Sequence, residues 1–377
     1  MSGTAPETTV ATVQNAMNTI PSTFNRDFPP YTVIGGARRN AATGLCAVLL
    51  NRGGRYARGA CFKELENSGF DYVLSMESGE HFDIEELKDV FPFVRFILFK
   101  DAPNTGVQIN VAAAEADTPL FFMLWGDFHP ILSLDAERIA ERLLIKPYDA
   151  ARMPAEKMPA ARMPAEKNTD AKSPYARLCT TPTLQNSAFE VLPVACAPLI
   201  KGRKFETLPF APVKEAAPTL YPFNAAGVYD RERFIGLGGF DPALNSPYWQ
   251  FLDFGLRAWL WGEEIRCTQQ IRFSLDEDTP AENSTADESY LRFFLKNLAP
   301  VIQAPGTEVP AKDGKTAAAS AHLPLRCFLP YLLNTACGPV SAARNFSEIR
   351  RWVSANSRRF VNDINGIMPF WNQPAPP

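Results

Sequence analysis

The feature that most constrains this chain is an alternation in its first third. Short apolar runs at 70–76, 94–99 and 120–124 are separated by stretches of helical spacing at 84–91 and 106–116. A smaller β-rich run, 31–34, precedes them and ends at Gly35-Gly36, and 41–51 reads as a helix. Strands that are apolar almost without interruption belong in a parallel sheet with both faces covered. The expectation is an α/β fold with a mainly parallel central sheet flanked by helices. Such sheets receive ligands beyond the carboxyl ends of their strands. That directs attention to 35–39, 77–80, 100–106 and 125–129.

The remainder of the 377 residues divides by composition. Residues 1–29 read as a loose tail and 30–145 as the first ordered half. In 146–180 the heptapeptide Ala151-Arg-Met-Pro-Ala-Glu-Lys157 returns unchanged ten residues later. Its prolines forbid a continuous helix, so a low-complexity, dispensable loop is expected. Order resumes over 181–275, with strand-like pieces at 189–194 and 223–229 and a helix at 253–262. An acidic and then Ala/Pro-rich linker is expected over 276–321. A helical C-terminal extension with basic faces is expected over 322–377.

Charge and cysteine usage narrow the function classes. A net charge of −3 makes no electrostatic case for nucleic acid or for an anionic membrane surface. No run reaches the eighteen or so uncharged apolar residues of a membrane-spanning helix. The start lacks the basic and apolar regions of a secretory signal. The seven cysteines are odd in number and none are spaced as a metal or redox pair, so reduced thiols and a cytoplasmic location are expected.

Two stretches carry motif-like patterns. The first holds Thr32-Val-Ile-Gly-Gly-Ala-Arg-Arg39, then Leu74-Ser-Met-Glu77, then Gly106 with Asn110 four residues on, then Phe121-Phe-Met-Leu-Trp125-Gly-Asp127. The second holds Gly236-Leu-Gly-Gly-Phe-Asp241 followed by Trp249-Gln-Phe-Leu-Asp253-Phe-Gly-Leu-Arg257. In order and spacing the two together resemble family 2 glycosyltransferases with a GT-A core. The resemblance covers about 140 residues.

It implies a nucleotide-sugar donor, held by Gly36, Arg38, Glu77, Gly106, Asn110 and Asp127. Glu77 would meet the base or ribose. Asp127 would hold a divalent metal, manganese or magnesium, against the diphosphate. Gly239, Asp241, Trp249 and Arg257 fall on the acceptor side, where the acceptor would be a glycan, a lipid-linked glycan or a protein. Asp253 is the candidate base for an inverting transfer. Two departures stand out: Trp125 replaces the first carboxylate of the D-x-D signature, and Gln250-Phe251 replaces the Glu-Asp pair.

The chemistry shows what those departures cost. Charge that builds on a leaving diphosphate must be absorbed by a metal or by fixed cations. One carboxylate suffices where phosphate oxygens and water complete the shell. A metal-independent mode would place Arg38, Arg39 or Lys100 on the diphosphate instead. The acceptor hydroxyl also needs a proton acceptor. Plainer roles stand beside each assignment: Asp253 as a helix cap, Glu77 as a polar strand end, Gly106 and Asn110 as turn and cap residues. Trp259 and Trp261 fit a core better than a sugar platform. A protein of this fold that binds a nucleotide sugar or a partner without catalysis is the alternative reading.

Overall fold

The computed structural model describes residues 24, 26–50, 58–78, 84–143, 177–201, 204–275, 282–303 and 320–372. The repeat segment and most of the N-terminal tail lie outside the described residues, as do 276–281 and 304–319. The linker expectation for 276–321 is corrected in part: its residues 282–303 include a helix, Glu288–Asn297, whose Phe293, Leu295 and Lys296 are buried.

In chain order the first elements are β1 (Tyr31–Gly35), β2 (Leu45–Leu50), α1 (Arg58–Asn67), β3 (Val73–Ser78), α2 (Ile84–Val90), β4 (Val94–Phe99), α3 (Thr105–Glu115) and β5 (Leu120–Trp125). Then come β6 (His129–Pro130), α4 (Ala136–Leu143), β7 (Cys179–Gln185), β8 (Ala195–Lys201), β9 (Lys204–Phe210), β10 (Gly227–Asp230), α5 (Arg231–Leu237), α6 (Pro247–Leu260), β11 (Ile265–Ser274) and α7 (Glu288–Asn297). The chain closes with β12 (Val301–Gln303), β13 (Ser320–His322), α8 (Phe328–Asn334), α9 (Pro339–Ala355) and two short turns of helix.

Nine strands form one sheet in the order β1-β4-β3-β2-β5-β10-β7-β11-β6. Strands β4, β3, β2 and β5 run parallel. β1 pairs antiparallel on the outer side of β4, and β10 pairs antiparallel with both β5 and β7. β7 and β11 are again parallel, and β6 closes the edge antiparallel to β11. The fold is therefore α/β, with a parallel block at the centre and helices on both faces.

The 41–51 helix expectation is corrected. That segment contains β2, the strand paired on both sides inside the parallel block. Leu45-Cys-Ala-Val-Leu-Leu50 is six apolar residues in a row, all buried. Alternate residues enter opposite cores: Leu45, Ala47 and Leu49 pack with Phe62 and Phe122, whereas Cys46, Val48 and Leu50 pack toward α3 and α6. The alanines and leucines suggest helix by propensity, but burial on two faces decides the outcome. Gly44, at φ +78°, marks the break before the strand.

The first core lies between the sheet and α3, α6 and the C-terminal extension, and includes Phe346, Ile349 and Val353. The second lies under α1, α2 and α4. Trp259 is core, with its indole N–H donated to Thr219 O at 3.0 Å and its ring against Phe370 and Trp371. Among the described residues no helix is long and apolar enough to cross a membrane.

Candidate functional site

The carboxyl ends of β2–β5 form one edge, and two of the expected donor-side carboxylates stand on it. Glu77 is the penultimate residue of β3. It is buried, and its Oε1 accepts from Ser75 Oγ at 2.6 Å. Asp127 lies on the tight turn that follows β5, closed by Phe128 N–H donating to Trp125 O at 3.1 Å. Gly126 N–H donates to Leu50 O at 3.0 Å, so this turn is tied to the end of β2. Phe128 anchors its far side against Phe273. The loops that follow β2 and β3, 51–57 and 79–83, lie outside the described residues.

Trp125 has a structural task that a carboxylate could not perform. Its indole N–H donates to Asn224 O at 2.7 Å, across to the turn that leads into β10. Asn224 and Ala225 both adopt positive φ, 51° and 57°. Asn tolerates this conformation; alanine pays for it with steric strain. The Asn224 amide nitrogen is buried and has no hydrogen-bond partner among the described residues. Consecutive positive-φ residues and a buried donor without a partner among the described residues make this turn a candidate for ligand contact. The sequence reading took 223–229 for strand and missed this turn, although Asn-Ala-Ala-Gly contains turn formers that could have signalled it.

Gly36 and Arg38 do not belong to this edge, which corrects their assignment. β1 runs antiparallel to β4, with Gly35 opposite Arg95, so the loop after β1 emerges where β4 begins. Arg38 N–H donates to Pro92 O at 3.0 Å, and its guanidinium pairs with Glu66 at 2.7 Å. Both residues sit at the amino end of the parallel block. The first strand of the chain is not the first strand of that block; β2 is.

Gly106 and Asn110 are at the correct edge but face protein groups. Asn104 caps α3, accepting from Val107 N–H at 3.0 Å. Gly106 N–H donates to Gln250 Oε1 at 2.8 Å, and a Cβ at 106 would collide with that amide at 2.4 Å. Gln250 Nε2 lies 3.0 Å from Asn104 Oδ1, 3.0 Å from Asp241 O and 3.1 Å from Leu244 O. A glutamate there would have no hydrogens for these three acceptors. Asn110 clamps the Phe240 peptide, accepting from its N–H at 2.9 Å and donating to its carbonyl at 2.8 Å.

The expected acceptor-side residues converge on a buried ionic cluster. Asp253 is mid-helix in α6, not a cap; Ser246 holds the N-cap position. Its side chain is 0% exposed. Asp253 Oδ2 accepts from Arg257 Nη2 at 2.8 Å and Lys296 Nζ at 3.0 Å, and Oδ1 from Asn297 Nδ2 at 2.7 Å. Asp241 Oδ2 accepts from the same Lys296 Nζ at 2.7 Å and from Arg292 Nε at 2.8 Å. Arg257 also donates to Leu237 O and Gly239 O, at 2.6 and 2.8 Å. Arg292 reaches Glu348 of α9 at 3.2 Å, which ties the extension to the cluster. Trp249 packs on Tyr248, Tyr290 and Phe293 and donates to Thr285 O at 2.9 Å.

Burial alone would raise both carboxyls. Lys296 with Arg292 at Asp241, and Lys296 with Arg257 at Asp253, outweigh it and hold both below the ordinary carboxylate range. A carboxylate with depressed basicity and filled lone pairs is a poor proton acceptor. The base assignment of Asp253 is therefore corrected to a structural one. Arg292 and Lys296 were missed in the sequence; the signal available was their four-residue spacing among Tyr290, Leu291, Phe293, Phe294 and Leu295.

Among the described residues no three His, Cys, Asp or Glu side chains converge as a metal cage. At the carboxyl edge of the parallel block, Asp127 could offer an ion a carboxylate.

No protein-family model matches this chain, and no curated protein does. Among solved structures the chain is similar to GalNAc-T7 with UDP, GalNAc and Mn2+, at 10% identity and TM-score 0.42, over 67% of this chain and 47% of that one. It is similar to S. aureus TarS at 10% identity and TM-score 0.40, over 85% of this chain and 44% of that one. It is similar to S. aureus TarS 1-349 in complex with UDP-GlcNAc at 12% identity and TM-score 0.39, over 87% and 78%. The chain thus spans less than half the length of the first two.

Proposed function

We propose that this chain is a GT-A-like glycosyltransferase that binds a nucleotide-sugar donor at the carboxyl edge of β2–β5. The observation that supports the reading is the placement on that one edge of Glu77, the Trp125–Asp127 turn and the strained Asn224-Ala225 pair that Trp125 holds. Glu77 would receive hydrogen bonds from the base or ribose, and the buried Asn224 amide would donate to the ligand. Asp127 would hold a divalent ion, whose other ligands would be water and diphosphate oxygens; the ion would supply neutralisation of the leaving group. The acceptor is a glycan, a lipid-linked glycan or a protein. Gly106, Asn110, Gly239, Asp241, Trp249 and Arg257 contribute by fixing the two halves of the sheet against α6.

The locked carboxylate of Asp253 favours a second reading, a protein that binds the donor and does not transfer it. Release of nucleoside diphosphate from UDP- and GDP-sugars separates the two without a known acceptor. The enzyme reading expects slow hydrolysis that Asp127→Asn lowers by roughly 10²-fold or more. Donor binding with no release above the uncatalysed rate would establish the binding reading instead.

A further inference from the structure

The outer side of the C-terminal extension carries a feature that the donor edge does not use. A 3-10 turn, Leu325–Cys327, runs into α8. Leu325, Leu329 and Leu333 follow one another at four-residue spacing, which aligns them along one side. These three and Val340, at the start of α9, are 61% to 84% exposed. The eight other exposed large hydrophobics among the described residues are scattered between Val33 and Val301. Single exposed apolar residues are ordinary, whereas a run of four within one hairpin is not. The hairpin does not need them for its own packing, which comes from Phe328 and Tyr331 against Phe346.

Charge accompanies the apolar run. Helix α9 buries Ala342, Phe346, Ile349 and Val353 on one face. Val340, Arg344, Ser347 and Arg351 lie on the opposite face at four-, three- and four-residue spacing, and all are exposed. Residues 320–372 contain six arginines against two carboxylates, Glu348 and Asp363, a net +4 in a chain whose total is −3. Arg326, Arg350 and Arg358 are exposed as well. The whole-chain charge conceals this local excess.

We propose that the outer surface of the α8–α9 hairpin docks on an anionic lipid membrane. The leucines and Val340 enter the headgroup and acyl boundary, and the arginines meet the lipid phosphates. The charge selects this occupant over a second copy of the chain. A twofold contact sets a surface against itself, and here it would set one arginine-bearing surface against another with Glu348 as the only carboxylate that 325–355 supplies. The proposal does not depend on the donor-site reading.

Co-sedimentation of the full chain with vesicles tests it. The expected result is binding to vesicles of equal parts phosphatidylcholine and phosphatidylglycerol, little binding to phosphatidylcholine alone, and weakening by salt. The double substitution Leu329→Ser with Leu333→Ser should lower the partition coefficient roughly tenfold or more. Arg344→Glu with Arg351→Glu should lower it by a similar factor on anionic vesicles only. All four positions are exposed, so an unchanged thermal transition is expected of both variants. Absence of binding to anionic vesicles would overturn the proposal, as would binding that neither variant changes. Light scattering that shows a dimer dispersed by the leucine substitutions, or a soluble protein partner that competes with the vesicles for this face, would also overturn it.

Discussion

Two regions of this molecule contain the acidic residues that its motifs single out, and they use them in opposite ways. At the carboxyl edge of the parallel block, Glu77 ends β3 and Asp127 follows β5, where Trp125 holds a strained turn whose buried Asn224 amide nitrogen has no hydrogen-bond partner among the described residues. Around α6, Asp241 and Asp253 are sealed beneath Lys296, Arg292 and Arg257. Strain and an unspent donor mark the first region; saturation marks the second. The contrast teaches that a carboxylate at a motif position is a structural group, not a candidate base, once fixed protein cations fill its lone pairs, as at Asp253.

Removing Lys296 should expose that contrast most strongly. Lys296→Met leaves Asp241 and Asp253 buried with one shared counter-ion gone, and unfolding in urea should show a loss of about 3–5 kcal/mol. Asp127→Asn, at the carboxyl edge, keeps the side chain's shape and should change stability by less, about 1 kcal/mol or under. Comparable losses at the two sites would erase the distinction.

Gln250→Glu comes next in size. The new carboxylate cannot donate to Asn104, Asp241 O or Leu244 O, and denaturant melts should show a loss of about 1–3 kcal/mol. A neutral result would mean that the amide contacts between α3 and α6 carry little weight.

Acid sensitivity sharpens the comparison further. Asp241 and Asp253 are held below their ordinary value of 3.8, so the folded state binds protons less readily than the unfolded chain. Their stabilisation is complete above that value and fades as pH falls through the lower folded values. Urea midpoints measured down from pH 5 should fall less steeply in Asp253→Asn than in the parent chain. Parallel slopes would remove Asp253 from the cluster's energetics.

The smallest effect belongs to the strained turn. Ala225→Gly relieves a positive φ that alanine adopts at a cost, and should raise stability by about 0.5–1 kcal/mol. A loss of stability would mean that the turn is not strained as its backbone angles indicate.

Much of the fold was legible because burial on two faces writes a simple pattern. The apolar runs of β3, β4 and β5 and the intervening helices could be read from spacing alone. β2 carries the same pattern and was still misread, since leucine and alanine also favour helix and only the neighbouring strands show that both faces are covered. The direction of β1 was not legible at all. Its residues suit an edge strand of either sense, and antiparallel pairing with β4 is what removes Gly36 and Arg38 from the ligand edge. At the site, Glu77 and Asp127 could be placed from their strand ends. Asp253 was misjudged because its partners Lys296 and Asn297 lie more than forty residues away, beyond the reach of any local motif.

The central claim is that the edge bearing Glu77, Asp127 and Asn224 receives a nucleotide-sugar donor. Titration calorimetry with UDP- and GDP-sugars, with and without manganese, tests it most directly. The account predicts measurable binding by the parent chain, weakened by about 1–3 kcal/mol in Glu77→Ala and unchanged in Arg38→Ala at the opposite edge. It also predicts that Asp127→Asn abolishes any enhancement by manganese. No heat of binding at millimolar donor, or a loss in Arg38→Ala with none in Glu77→Ala, would contradict it.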